Sequence, residues 1–344
     1  MYMFRKIYRK CVRTNALKSG VEAINSCISG MVDGTVLVKE ITITSFQKIE
    51  GYKITINNQT AFFPKSLEAI KFNVSLDRLR VAFLDVDLVI PPYFQVVYLN
   101  NFVAALDKCT DIKEREMVAN VYLLNMYTED SIASFCTEVY KKKKVIAPYY
   151  DCIIESIKAY CLGLYKSAII SLIPCVEGII RNIGKQIGLG VSDMISKESF
   201  LNILEKVQLR DIQDIFKGYD WLPVEEINIE LFDKFHERIQ MIESVKFFIK
   251  NSMYQHTKIY LKLTQLNRHG IIHGLITDFD NATNYLRLIN LVNSLSVVSI
   301  IAGDPGSSFH PEFTEEAQRL SWCFQKYKQL NFQIDSNIQQ ELAV

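Results

Sequence analysis

The chain has 344 residues, about half of them apolar, and its 39 lysines and arginines nearly cancel 38 aspartates and glutamates. That length exceeds one compact core and suits two domains. A net charge of +1 excludes a global nucleic-acid signature, so any such binding must rest on a local patch.

The eight cysteines, Cys11, Cys27, Cys109, Cys136, Cys152, Cys161, Cys175 and Cys323, include no pair separated by only two residues. The spacing therefore suggests neither a zinc ribbon nor a redox pair, and a reducing, cytoplasmic setting is expected. The N-terminus, MYMFRKIYRKCVR, is basic but lacks the apolar run of a signal peptide. No stretch reaches about 18 uncharged apolar residues, so no membrane span or membrane partner is expected. The nearest stretch, residues 168–180, contains Pro174 and Glu177.

Residues 1–96 read as a mixed α/β domain. TVLVKEITITSF (35–46) alternates and is β-branched, as a half-buried strand should be. GYKITINNQTAFF (51–63) reads as strand, Asn-Asn turn and strand. RLRVAFLDVDLVI (78–90) reads as a third strand stopped by Pro91 and Pro92; its Asp85 and Asp87 could hold a metal with a nucleotide, although period-two spacing more often puts such a pair on one solvated strand face.

From residue 97 to 148 the pattern is a helical connector, with Thr128 as a helix N-cap. The run Lys141, Lys142, Lys143 and Lys144 closes one helix and offers charges to RNA phosphates, although such a run is most often a solvated helix end. Pro148 marks a boundary. Residues 149–332 read as a mainly α-helical bundle. A long apolar helix there should kink or split at Pro174 and end at Gly188 and Gly190. Further helices are expected at 199–208, 211–217, 231–250 and 281–302, with Thr314 capping the last one and a frayed polar tail at 333–344. The fold class expected is α+β.

Two of the five histidines lie in QLNRHGIIHG (265–274). His269 and His273 are four apart and share a helix face, and Gly274 is a natural stop. Proton transfer near neutral pH favours histidine, and a guanidinium grips phosphate oxygens in a fork. Arg268 with His273 therefore suits RNA cleavage without metal or cofactor: histidine as acid or base, arginine on the charge at phosphorus. A zinc reading would need a third ligand from His256, Asp278 or Asp280, and Arg268 beside it would repel the cation. Glu177 and Arg181, four apart, can form an intrahelical ion pair; their apolar surroundings demand partners, and Arg268 is the other partner open to Glu177. Tyr285 and Arg287 offer stacking and phosphate contacts, or serve as ordinary rim residues. His236 is read as a surface helix residue, and His310 receives no role.

The stretch from Arg268 to Gly274 resembles the signature of HEPN-superfamily helical domains: an arginine, a polar residue, three more residues and a histidine. AIISLIPCVEGIIRNIG (168–184) is similar to the helix that accompanies this motif. The resemblance covers about residues 150–330 and implies a HEPN-like bundle, usually a homodimer with the two motifs facing each other. It implies that Arg268 and His273 are catalytic, that His269 assists, and that Asn267 lies just outside the core signature. The function implied is a metal-independent endoribonuclease of a bacterial defence, abortive-infection or toxin-type system. Its partners would be RNA and an antitoxin or sensor protein. The alternative is a noncatalytic HEPN-like module for dimerisation or partner binding.

Overall fold

A computed structural model of the chain describes residues 2–68, 70–71, 74–192 and 196–342. The fold is α+β: one small antiparallel sheet and otherwise helices. It divides into two units, one of residues up to Asp77 with Gln208–Gln240, the other of Arg78–Val207 with Met241 onward. The boundaries expected near residues 96 and 148 both fall inside the second unit.

In the first unit the alternating stretch forms β1 (Val36–Ser45), which pairs with β2 (Gln47–Ile56) through the single connecting residue Phe46. β3 (Gln59–Pro64) follows the Asn57-Asn58 turn, where both residues take positive φ as a tight hairpin turn demands. A Cβ on Gly51 of β2 would meet the Phe63 carbonyl at 2.4 Å, so glycine lets β3 lie close. Residues 208–240 join this unit by pairing with β3: Phe62 N–H donates to the Trp221 carbonyl at 3.1 Å, and Trp221 N–H to the Thr60 carbonyl at 3.2 Å. No local sequence pattern announces a pairing across so long a separation. One core gathers Phe4, Ile7, Ile24, Tyr52 and Phe63; a second gathers Ile49, Phe62, Phe216, Phe232 and Ile239.

The second unit is built around the helix Ala282–Ile301, which is buried along nearly its whole length. An all-round buried helix must satisfy its polar side chains internally. Tyr127 donates to Asn290 at 2.6 Å, Tyr140 donates to Asn293 at 2.7 Å, and Tyr93 shares a hydrogen bond with Ser296 at 2.7 Å. The helix Tyr165–Gln186 packs against it. These two are long and apolar enough to cross a membrane by length and composition alone, a test that buried core helices also pass; 89% and 61% of their apolar windows are buried within the protein.

Several expectations need correction. Residues 78–90 are not a strand. Val74–Asp85 is a helix, because Leu79, Ala82, Phe83 and Val86 recur at helical spacing and all are buried. Asp85 is exposed, but Asp87 is fully buried at φ 52°, so the two do not share a solvated face. The long apolar region breaks at Gly163 (φ 73°), between helices Tyr150–Cys161 and Tyr165–Gln186, and not at Pro174. Pro174 lies on the exposed side of its helix, where water can satisfy the carbonyl that its ring leaves without a donor. Residues 199–208 and 211–215 belong to one helix, Lys197–Ile215, and residues 216–217 form the turn after it. The last helix, Glu315–Leu342, runs ten residues past the end expected at 332; residues 343–344 lie outside the described residues. His236 is not a surface residue. It is 1% exposed, and burial drives its pKa down to about 4, with Arg238 adding to the effect.

Candidate functional site

The motif begins with an N-cap. Asn267 has extended backbone, and its Oδ1 accepts from Gly270 N–H at 2.8 Å. Its amide nitrogen donates to the carbonyls of Ser252 and Gln255 at 3.0 and 2.8 Å. Completely buried, Asn267 fixes the entry to the short helix Arg268–Ile272 and has no free edge for a ligand. The exit is fixed as well. Leu275 N–H donates to the Gly270 carbonyl and Gly274 N–H to the Ile271 carbonyl, with Gly274 at φ 67°. This is a Schellman stop, and the motif glycine is there to make it.

Between cap and stop the candidate side chains point outward. His269 and His273 are both exposed, their ring centroids 4.4 Å apart and tilted 58°. Arg268 donates from Nε to Glu177 Oε1 at 2.7 Å, while 28% of its side chain stays exposed. Its guanidinium carbon lies 5.8 Å from the centre of the Tyr254 ring, a cation–π distance. The Tyr254 hydroxyl also donates to Glu177 Oε1. Burial, and then the Glu177 carboxylate, push the Tyr254 pKa far up, so the phenol keeps its proton and serves as a donor. Glu177 thus braces Arg268 on one side and Tyr254 on the other.

The segment that carries the motif is tied down by Asp87. This buried carboxylate accepts from Ser252, Thr264 and Tyr260, and pairs with Lys262 at 3.0 Å. Asn284 adds a bond from its amide to the Thr264 carbonyl at 2.5 Å. Asp87 and Tyr254 are the residues that sequence reading missed. Asp87 stood in a visible Asp-Val-Asp pair, but only helical phasing of residues 74–86 separates its environment from that of Asp85. Tyr254 carries no local signal, since its role exists only through the fold.

The structure brings Arg268, His269, His273 and Glu177 together. Arg181 lies on the same helix as Glu177 and is half-buried. Other candidates lie elsewhere. Tyr285 and Arg287, expected within reach of RNA, are core residues. Tyr285 is fully enclosed, stacked on Tyr160 and hydrogen-bonded to Ser156 at 2.9 Å. Arg287 is 1% exposed, with both oxygens of Glu116 at 2.8 and 2.9 Å. Neither has a surface to offer. Lys143 is buried too and donates to the Pro305 carbonyl at 2.6 Å; burial lowers its pKa. Lys141 and Lys142 pair with Glu316 and Glu138, and Lys144 is exposed. For the zinc alternative, His256 caps a turn by accepting from Lys258 N–H. Among the described residues no three histidine, cysteine, aspartate or glutamate side chains converge on a common point as a metal would need.

No protein-family model matches this chain, and no curated protein or solved structure is significantly similar to it.

Proposed function

We propose that the chain is a metal-independent endoribonuclease with Arg268 and His273 at its site, housed in a HEPN-like helical unit. The observation that carries the reading is an arginine braced by a buried-side carboxylate next to two exposed histidines on one short, doubly capped helix. Such bracing keeps a phosphate-binding group in place before substrate arrives, which is how positioning lowers a barrier. In the proposed step the 2′-hydroxyl of RNA attacks its neighbouring phosphorus and the bond to the 5′-oxygen breaks. His273 moves the proton at one of these oxygens, His269 assists, and Arg268 stabilises the charge on the equatorial oxygens. The products are a cyclic phosphate end and a 5′-hydroxyl end. A role in cytoplasmic bacterial defence or as a toxin, controlled by an antitoxin or sensor, follows from the HEPN resemblance.

A second reading, a noncatalytic dimerisation or partner-binding module, draws on the two apolar side chains that flank His273. Ile272 and Leu275 are 42% and 65% exposed, as they would be at an interface left uncovered. The test that separates the two is incubation of purified protein with total RNA in EDTA, beside the His273→Ala protein. Cleavage in EDTA that the variant lacks, leaving cyclic phosphate ends, is expected. A folded dimer that leaves RNA intact, with its cellular partners present, would replace the nuclease reading with the assembly reading.

A further inference from the structure

Residues 1–77 hold eleven lysines and arginines against six aspartates and glutamates, so the basic excess of the chain lies in this stretch. Much of it converges. Lys18, Lys48, Lys65 and Lys71 line one cavity of about 660 Å³ in the first unit, with Glu50 as the one carboxylate among its described lining residues. Lys65 is paired with Glu40 at 2.9 Å; the other three make no ion pair among the described residues. A neighbouring hollow of about 320 Å³ shares Lys18, Lys65 and Ser66 but adds Glu68 and Glu226, so the basic lining is concentrated in the main cavity.

Phe46 lines the same cavity. It is the single residue between β1 and β2 and sits at φ 54°, a left-handed conformation rare for a bulky side chain. Strained backbone of this kind persists only where the surroundings hold it, and it concentrates at functional positions. Here the ring packs edge-on against the buried His236 ring, centroids 4.4 Å apart, while about half of Phe46 remains exposed. A fixed, exposed aromatic face stands beside a cluster of ammonium groups. Ammonium groups take phosphates, aromatic rings take bases, and a carboxylate such as Glu50 accepts from ribose hydroxyls. The volume lies within the roughly 300–1,000 Å³ of small-ligand sites.

We propose that this cavity binds a free nucleotide, its di- or triphosphate on Lys18, Lys48, Lys65 and Lys71 and its base against Phe46. The inference stands whether or not Arg268 and His273 cut RNA, because it uses none of the same residues.

The test is calorimetric titration of the full-length chain with a purine nucleoside triphosphate, inorganic triphosphate and a single-stranded RNA heptamer, the last in the His273→Ala background. Binding of the nucleoside triphosphate that weakens with added salt is expected. The double substitution of Lys48 and Lys71 by alanine should weaken it at least tenfold; both side chains are exposed, and circular dichroism checks that the fold survives. Phe46→Gly suits the left-handed backbone and should weaken the nucleoside triphosphate severalfold while leaving inorganic triphosphate unchanged, with Phe46→Tyr restoring affinity. No binding at low salt, or binding indifferent to the two lysines, overturns the site. Equal affinity for inorganic triphosphate and an effect of Phe46→Gly on neither ligand overturn the role of the base. A heptamer that binds more tightly than the free nucleotide overturns the free-nucleotide assignment.

Discussion

Two arginines of the helical unit each meet a carboxylate, and the difference between their surroundings separates a structural ion pair from a candidate site. Arg287 gives Nε to the Val86 carbonyl at 3.0 Å and a terminal nitrogen to both oxygens of Glu116, inside the core. Its hydrogen-bonding fork is used up. Arg268 gives Nε to Glu177 and remains more than a quarter exposed beside two exposed histidines. In sequence both were candidates to meet a phosphate, Arg268 inside the motif and Arg287 in the helix after it. What distinguishes them is which nitrogens the protein itself consumes.

The largest effect that sharpens this contrast is on stability. Arg287→Ala leaves Glu116 without its partner in a site where burial already pushes the carboxyl pKa up and only Arg287 pulls it back. Breaking a buried pair on one side costs about 3–5 kcal/mol. Arg268→Ala should cost about 1 kcal/mol, since Glu177 keeps the Tyr254 donor and some contact with water. Urea unfolding of the two variants measures both numbers. Equal losses would collapse the distinction drawn between the two arginines.

Histidines repeat the contrast across the two units, with a smaller effect. His269 and His273 face water, whereas His236 is sealed under Phe46 with its Nε2 3.3 Å from Ser45 Oγ. A neutral histidine with a folded-state pKa of about 4 and an unfolded value of 6.5 stabilises the fold fully above about 6.5. Between those values the unfolded chain binds more protons, so that stability is lost as pH falls from 6.5 towards 4, by at most about 3 kcal/mol. The adjacent Asp211 works in the opposite sense, because burial raises its pKa. The measurement is therefore a difference: unfolding free energy at pH 7.5 minus that at pH 5, for the natural chain and for His236→Asn. A smaller pH dependence in the variant is expected; identical pH dependence would show that His236 is not sealed.

How much of this was legible in sequence depends on the range of the interactions. The hairpin strands, the Asn57-Asn58 turn, the Thr128 and Thr314 caps and the stop at Gly274 are all local, and the sequence announces each of them. That Glu177 needs a partner was legible, because a charge in an apolar helix demands one; that the partner is Arg268 was one of two readings, with Arg181 the other. The first unit was not legible, since residues 208–240 reach β3 by backbone pairing that any side chains permit. Nor was the fate of Tyr285 and Arg287: the helix Ala282–Ile301 is polar enough to look two-faced, yet its asparagines and serines are bonded inside the core.

A third effect links the brace to chemistry. Glu177→Gln keeps the shape and an acceptor oxygen but removes the charge that holds Arg268. Stability should change by no more than about 1 kcal/mol, whereas cleavage of RNA should fall on the order of tenfold to a hundredfold. Asn267→Ala, by contrast, loses the cap of the motif helix and two carbonyl bonds, and should cost about 1–2 kcal/mol. If Glu177→Gln cuts as well as the natural chain, Glu177 serves the fold alone.

The smallest effect belongs to the lysine run, where neighbours in sequence fall on opposite sides of the same divide. Lys142 reaches Glu138 one turn back at 2.5 Å with most of its side chain in water. That bond, ahead of burial, holds the Glu138 pKa below its ordinary value, and Thr314 assists. An exposed pair of this kind contributes a few tenths of a kcal/mol, screened by salt. Lys142→Ala should therefore leave unfolding nearly unchanged while the Glu138 titration, followed by NMR, moves up. The small stabilisation from Glu138 is present above its unfolded-state pKa and is lost as pH falls through the lower folded value, so the natural chain and the variant should converge in acid. Lys143→Ala removes a buried ammonium bonded to the Pro305 carbonyl and should cost more than Lys142→Ala does. If the order is reversed, burial is not what divides this run, and Lys143 returns to the surface residues that can meet a phosphate.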